Sequence, residues 1–251
     1  MTNPEEAPRR LRRAEAVLRY RTGRILLVLE RQTDIHNQMA VMRTAEAMGL
    51  VHIWLVDDDV QPQLPPLKKS VTKGAHGWLN LRYFENTTAC IEALREEGWE
   101  IWATDLNDGA VEASNENLSP LPQKVAIVMG RESDGVSSEM LAEADKRVFL
   151  PMFGFTESFN LSVATGMILQ RLFDICPQAH GDLSGEELTR LRTSWYEKLG
   201  GVGWKQRDGL WLDNPPEPLE TLRPDPSLRR PRMPKKLAKK LGIDPKTLTD
   251  R

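Results

Sequence analysis

Along most of this chain, short apolar runs alternate with segments whose apolar residues recur at helical spacing. Arg9 to Arg21 carries Leu11, Ala14 and Leu18 at three- and four-residue intervals and predicts a helix. The unbroken run Ile25-Leu26-Leu27-Val28-Leu29 predicts a strand covered on both faces. Asn37 is placed to cap a helix that ends near Gly49, and Val51 to Val56 is the next strand. A polar, proline-broken loop from Asp57 to Ser70 leads to a strand near Trp78–Phe84. A helix from Thr87 to Glu97, stopped by Gly98, then leads into the strand Trp99–Thr104. The alternation continues through the strand Val125–Met129, a short helix opening at Ser137, the strand Arg147–Leu150 and a long helix from Asn160 to Cys176. Such a pattern predicts a doubly wound α/β domain on a mostly parallel sheet. Beyond Pro177 the regime changes to a helix near Gly185–Leu199, and the proline-rich stretch from Pro215 to Pro234 predicts no regular structure. The expected partition is a basic helical arm over 1–24, a catalytic domain over 25–176 and a helical, basic extension over 177–251.

Charge adds a feature that the net value of −2 conceals. Arg9, Arg10, Arg12, Arg13, Arg19, Arg21 and Arg24 crowd the amino end, and Arg229, Arg230, Arg232, Lys235, Lys236, Lys239 and Lys240 crowd the other. Paired basic arms are the electrostatic footprint of a polyanion site, and they are equally compatible with solvated tails. With 40% hydrophobic residues, no long apolar stretch and no leader pattern, the chain is expected in the cytoplasm. Cys90 and Cys176 stand alone and are expected as core thiols, and the four histidines lack metal-ligand spacing, so no metal is expected.

The phosphate-binding fingerprints of related sheets are missing: no GxGxxG follows the first strand, and no GxxxxGK[ST] occurs, which argues against a nicotinamide or P-loop site. Instead, three polar loops border the predicted strands: Gly130-Arg131-Glu132-Ser133-Asp134-Gly135, Leu150-Pro151-Met152, and Gly154-Phe155-Thr156-Glu157-Ser158-Phe159-Asn160-Leu161. Glu132, Ser158 and Asn160 are therefore expected near carboxyl ends of strands, where open parallel sheets bind ligands. Together with Asn37 and Arg43 in the segment Ile35–Gly49, these loops resemble the SpoU/TrmH family of RNA ribose 2'-O-methyltransferases, with three separated motifs in family order. The layout around them, including Lys73-Gly74-Ala75-His76-Gly77-Trp78, is most similar to the tRNA guanosine-2'-O-methyltransferase branch.

That resemblance implies an S-adenosylmethionine-dependent enzyme with a deep trefoil knot in the carboxyl half of the sheet, a homodimer joined through the knot face, and tRNA as partner. It implies a cofactor pocket of Thr104, Gly130, Leu150, Met152, Phe159 and Leu161, and catalytic positions at Asn37, Arg43, Glu132, Ser158 and Asn160. For RNA it points to Arg9, Arg10, Arg12, Arg13, Arg19, Arg171, Arg230, Arg232, Lys235 and Lys236. A guanidinium holds its proton, so two roles for Arg43 stay open: base in an unusual setting, or clamp on a neighbouring phosphate. The implied reaction is 2'-O-methylation of a D-loop guanosine, with ribosomal RNA as alternative substrate and a non-catalytic RNA-binding protein as alternative class.

Overall fold

A computed structural model describes residues 7–57, 74–223 and 241–242. Its centre is a parallel seven-stranded sheet in the order β3-β2-β1-β6-β4-β7-β5. The strands are β1 (Thr22–Glu30), β2 (Leu50–Val56), β3 (Asn80–Phe84), β4 (Glu100–Thr104), β5 (Val111–Glu112), β6 (Val125–Met129) and β7 (Lys146–Phe149). β1 and β6 lie at the centre, in register from Ile25 opposite Val125 to Leu29 opposite Met129. Every residue of both apolar runs is buried because layers of helices cover both sheet faces. Ile25, Leu27 and Leu29 point to one layer with α2 (Ile35–Ala47) and the long helix α6 (Leu161–Ile175). Leu26 and Val28 point to the other, with α3 (Thr87–Glu96) and α5 (Ser138–Ala142). At about 1.5–3 kcal/mol for each buried aliphatic side chain, these two layers dominate the favourable side of folding.

Chain order sets where a crevice forms. From β1 the chain steps outward through β2 and β3, then returns to build the other half from β4, with β6 inserted between β4 and β1. The carboxyl ends of β1, β6 and β4 therefore flank a point where strand order reverses, the usual ligand position in such sheets.

Boundaries depart from expectation where short-range chemistry decides them. Asn37 does not cap α2: Asp34 does, its Oδ1 accepting from the His36 amide at 2.7 Å, so the helix starts earlier and Asn37 lies in its first turn. Trp78 belongs to a 3-10 turn, Ala75–Trp78, and β3 begins only at Asn80. The edge strand β5 and the single-turn helix α4 (Asn115–Leu118) had no periodic signature, being shorter than one period of pattern can reveal. The Asp57–Ser70 loop, apart from Asp57, and the basic stretch of the carboxyl tail lie outside the described residues.

A third core joins the two ends of the chain. Leu11, Ala14 and Leu18 of α1 (Arg9–Leu18) pack against Leu191, Trp195 and Tyr196 of α7 (Gly185–Gly200) and against Trp204, which opens α8 (Trp204–Asp208). Inside it, Glu15 accepts from Arg192 at 2.8 and 3.0 Å and from the Tyr196 hydroxyl at 2.7 Å. Burial and the Glu15 carboxylate push the Tyr196 phenol far above its ordinary range. The last helix among the described residues, α9 (Leu210–Asp213), precedes an irregular segment through Pro215–Pro218.

Candidate active site

Loops following β4, β6 and β7 enclose a cleft of about 420 Å³. Gly130 opens the β6 loop, and the chain folds back so tightly that a Cβ there would lie 2.0 Å from the Gly135 carbonyl carbon and 2.1 Å from the Val136 nitrogen. Only glycine fits, because the loop crosses its own backbone. Within it Arg131 pairs with Asp134, and that bond, with help from the Ser133 hydroxyl and the Arg31 charge, holds the Asp134 carboxyl well below the usual carboxylate range. The β7 loop runs exposed from Phe153 to Asn160, which caps α6 by accepting from the Ser162 amide at 3.0 Å.

Thr104, Gly130, Leu150, Met152, Phe159 and Leu161 all line this cleft, as do Glu132 and Ser158. Its walls include the apolar side chains of Leu150, Leu161, Val136 and Ile168, while Thr104, Asp105 and Asn107 add polar groups at the end of β4. Asp105 is buried and fixed by Arg147 at 3.2 Å and by the Asn107 amide at 3.1 Å. The polar run that follows Thr104 in the sequence signals this turn, yet sequence reasoning had passed over Asp105 and Asn107.

A relay of hydrogen bonds joins two further positions to Glu132. Asn37 Nδ2 donates to Glu132 Oε1 at 2.6 Å, and Asn160 Nδ2 donates to Asn37 Oδ1 at 3.3 Å. Because Asp34 caps α2, the Asn37 amide is free to face across to the β6 loop. Residues separated by 95 and 123 positions thus meet at the edge of the cleft, with one oxygen of the Glu132 carboxylate tied to α2. Such a carboxylate can orient a hydroxyl or take up its proton.

Arg43 lies elsewhere. Six residues at about 100° each put it on a different face of α2 from Asn37, and it lines not the cleft but a separate groove of about 570 Å³. There it is exposed beside Arg9, Arg10, Arg13, Trp78 and Trp195. Among the described residues, Arg9, Arg13 and Arg43 face no carboxylate within ion-pair distance. Their neighbour Arg10 differs: it forms a two-pronged bond at 2.8 and 2.6 Å with Asp208, which is fully buried, so it braces α1 to α8 rather than standing free at the surface. Arg21, also buried, is tied to Glu46 and to the Leu50 carbonyl, and Arg24 to Asp182. Arg12 donates to the Glu217 carbonyl at 3.0 Å, Arg19 lies 4.0 Å from the Glu217 carboxylate, and Arg171 is exposed on α6. Arg230, Arg232, Lys235 and Lys236 lie outside the described residues.

Residues 24–170 match the SpoU rRNA methylase family. This chain belongs to that family. A tRNA (guanosine(18)-2'-O)-methyltransferase of Borreliella burgdorferi is 33% identical over 74% of this chain and 84% of its own length. The solved structure of a TrmH/SpoU tRNA modifying enzyme from A. aeolicus superimposes with a TM-score of 0.65, at 28% identity, over 76% of this chain and 95% of that one. An S-adenosylmethionine-bound rRNA methyltransferase from Sinorhizobium meliloti gives a TM-score of 0.53 at 25% identity, covering 63% of this chain and 60% of that one. Family membership makes the chain a methyltransferase, and the mostly parallel seven-stranded sheet is the family's fold. No helix among the described residues is long and apolar enough to cross a membrane, and no three His, Cys, Asp or Glu side chains among them converge as a metal site would require.

Proposed function

We propose that this chain transfers a methyl group from S-adenosylmethionine to the ribose 2'-oxygen of a guanosine in tRNA, at position 18 of the D-loop, in the cytoplasm. The observation that carries the reading is the Asn160–Asn37–Glu132 relay at the edge of a cleft whose walls suit an adenosyl group. The cleft fits that cofactor: its volume is in the range of small-molecule sites, its apolar side chains can cover an adenine, and its polar groups cluster at the strand ends. Thr104, Gly130, Leu150, Met152, Phe159 and Leu161 would hold it there.

When bound, S-adenosylmethionine supplies an electrophilic methyl on a sulfonium, so that the ribose oxygen forms a C–O bond as the S–C bond breaks. What the protein must add is alignment and one proton acceptor. Asn37 and Asn160 fix the Glu132 carboxylate toward the acceptor side, and Ser158 offers a hydroxyl at the cleft wall. Holding nucleophile and acceptor groups in line is worth several kcal/mol, on the order of 7 or more in favourable cases. Arg43 works from the groove: its guanidinium grips a phosphate next to the reacting ribose, with Arg9 and Arg13 on the same strand of RNA.

A homodimer and the trefoil knot belong to this reading. Phe153, Phe155, Val163 and Met167 expose a large apolar area on the β7 loop and the adjoining face of α6, an area suited to a symmetric partner. Such a pairing would also bring one protomer's arginine groove toward the other's cleft. Incubation with labelled S-adenosylmethionine and unmodified tRNA transcripts, beside ribosomal-RNA fragments, tests the function. Label mapping to the guanosine-18 ribose is expected; label confined to ribosomal RNA, or none on any RNA, contradicts it.

A further inference from the structure

The end of β1 makes contacts with the β6 loop from outside the cleft. Glu30 is fully buried, yet it carries a carboxylate. Its Oε2 accepts from the Ser137 amide at 2.8 Å, and its Oε1 accepts from the Ser137 hydroxyl at 2.6 Å and from the Thr87 hydroxyl at 2.7 Å. Next, Arg31 sits in the left-handed backbone region with φ 54°, a conformation that costs a non-glycine residue and persists only where its surroundings hold it. From there its Nη2 donates to the Gly135 carbonyl at 3.3 Å and lies 3.5 Å from Asp134 Oδ2. The Arg31 amide meanwhile donates to the Val56 carbonyl at 2.8 Å, anchoring the residue to the end of β2. Buried Gln32 donates from Nε2 to the Glu30 carbonyl at 3.1 Å and to the Met129 carbonyl at 3.3 Å.

These bonds grip the β6 loop at both ends: Gln32 at Met129, where it leaves the strand, and Arg31 and Glu30 at Gly135 and Ser137, where it enters α5. Between those points lie Gly130 and Glu132, which border the cleft. None of the three gripping side chains lines the cleft itself. Buried charge is expensive unless satisfied, and the two bonds from Ser137 keep the Glu30 carboxylate committed to a single loop geometry.

We propose that Glu30, Arg31 and Gln32 form a clamp that sets the shape of the 130–137 loop, and that they are positioning residues for the donor cleft and for the Glu132 carboxylate. The inference rests on the reading of that cleft as the S-adenosylmethionine site. Its test separates the two. Hydrogen exchange of the 130–137 peptide, followed without any ligand, reads the clamp alone, while calorimetric titration with S-adenosylhomocysteine reads its consequence. Two variants serve, Glu30→Gln and Arg31→Asn; asparagine tolerates the left-handed backbone, so the second removes the guanidinium with the fold retained. Both are expected to speed exchange across 130–137 by about tenfold and to weaken the donor product by about tenfold, each a modest change in free energy. Thr87→Val, which removes the bond to Glu30 that faces α3 and leaves the loop bonds in place, is expected to leave both within about twofold. Unchanged exchange in folded Arg31→Asn overturns the clamp, as does equal loosening in Thr87→Val. Faster exchange in a protein whose wild type fails to bind the donor product leaves the clamp standing and removes the donor reading instead.

Discussion

Two regions of this molecule surround empty space with polar groups, and they are assembled differently. Around the cleft, the groups come from loops at the ends of adjacent strands, and backbone geometry does much of the holding: Gly130 against its own loop, the Gly135 carbonyl, the Ser137 amide. Around the arginine groove, long side chains project from helices at opposite ends of the chain, and ion pairs decide which of them remain available. Arg10 is tied to buried Asp208 and Arg21 to Glu46, while Arg9, Arg13 and Arg43 stay open. The lesson is that a run of like charge in sequence divides, on folding, into braces and contact groups. Only the latter can meet a polyanion.

If the cleft holds the donor and the groove the RNA, variants in one should leave the other intact. The largest expected effect is from Arg43→Ala, which should lower methyl transfer to tRNA by about three orders of magnitude, as loss of a charge-stabilising donor commonly does, with single-turnover assays as the readout. Gly130→Ala comes next. Its methyl would collide with backbone that cannot step aside, so a loss of affinity for S-adenosylhomocysteine of about a hundredfold is expected by calorimetry, with RNA binding retained. Arg10→Ala should act on stability alone: among the described residues Asp208 keeps only the 3.3 Å side-chain contact from Arg207, and denaturant unfolding should show a loss of about 2 kcal/mol, with donor affinity unchanged. Replacing Arg9 and Arg13 together by alanine should weaken tRNA binding and reduce the slope of log affinity against log salt by about 2, close to one for each phosphate released. An unchanged slope would return both to the solvated surface.

The smallest effect concerns pH and the seam between α7 and the sheet. The bond from the His52 ring, before the charges of His52 and Arg190, holds the Glu187 carboxyl below its ordinary value. A depressed carboxyl contributes stability above its unfolded pKa of about 4.3 and loses it as pH falls through the folded value. Thermal melts from pH 6 downward should therefore show a shallower acid limb in Glu187→Gln than in wild type.

Much of this was legible in the sequence where pattern and length agree. The apolar runs at Ile25–Leu29 and Val125–Met129 read as buried strands, which the structure puts at the centre of the sheet, and alternation puts the loops that follow them at its carboxyl edge. The six residues assigned to the cofactor by resemblance fall on a single cleft, whereas the local pattern around α2 put Asn37 at a helix cap that Asp34 occupies. One side chain two or three residues away can satisfy the same amides, and sequence does not rank the contenders. The bracing bond of Arg10 was hidden for a related reason, since its partner Asp208 is 198 residues distant and nothing local announces it. The clamp at Glu30–Gln32 was invisible too: a glutamate closing an apolar strand reads as the first solvent-facing residue, and only the sheet order brings Ser137 and Thr87 onto it.

Separation of the two regions is tested most directly by one titration, that of S-adenosylhomocysteine into the Arg43→Ala protein. Donor-product affinity within about twofold of wild type, alongside abolished transfer to tRNA, is the predicted result, because a side chain facing the other groove does not touch the cleft. A loss of tenfold or more, about 1.4 kcal/mol, would contradict it and place Arg43 in the donor site.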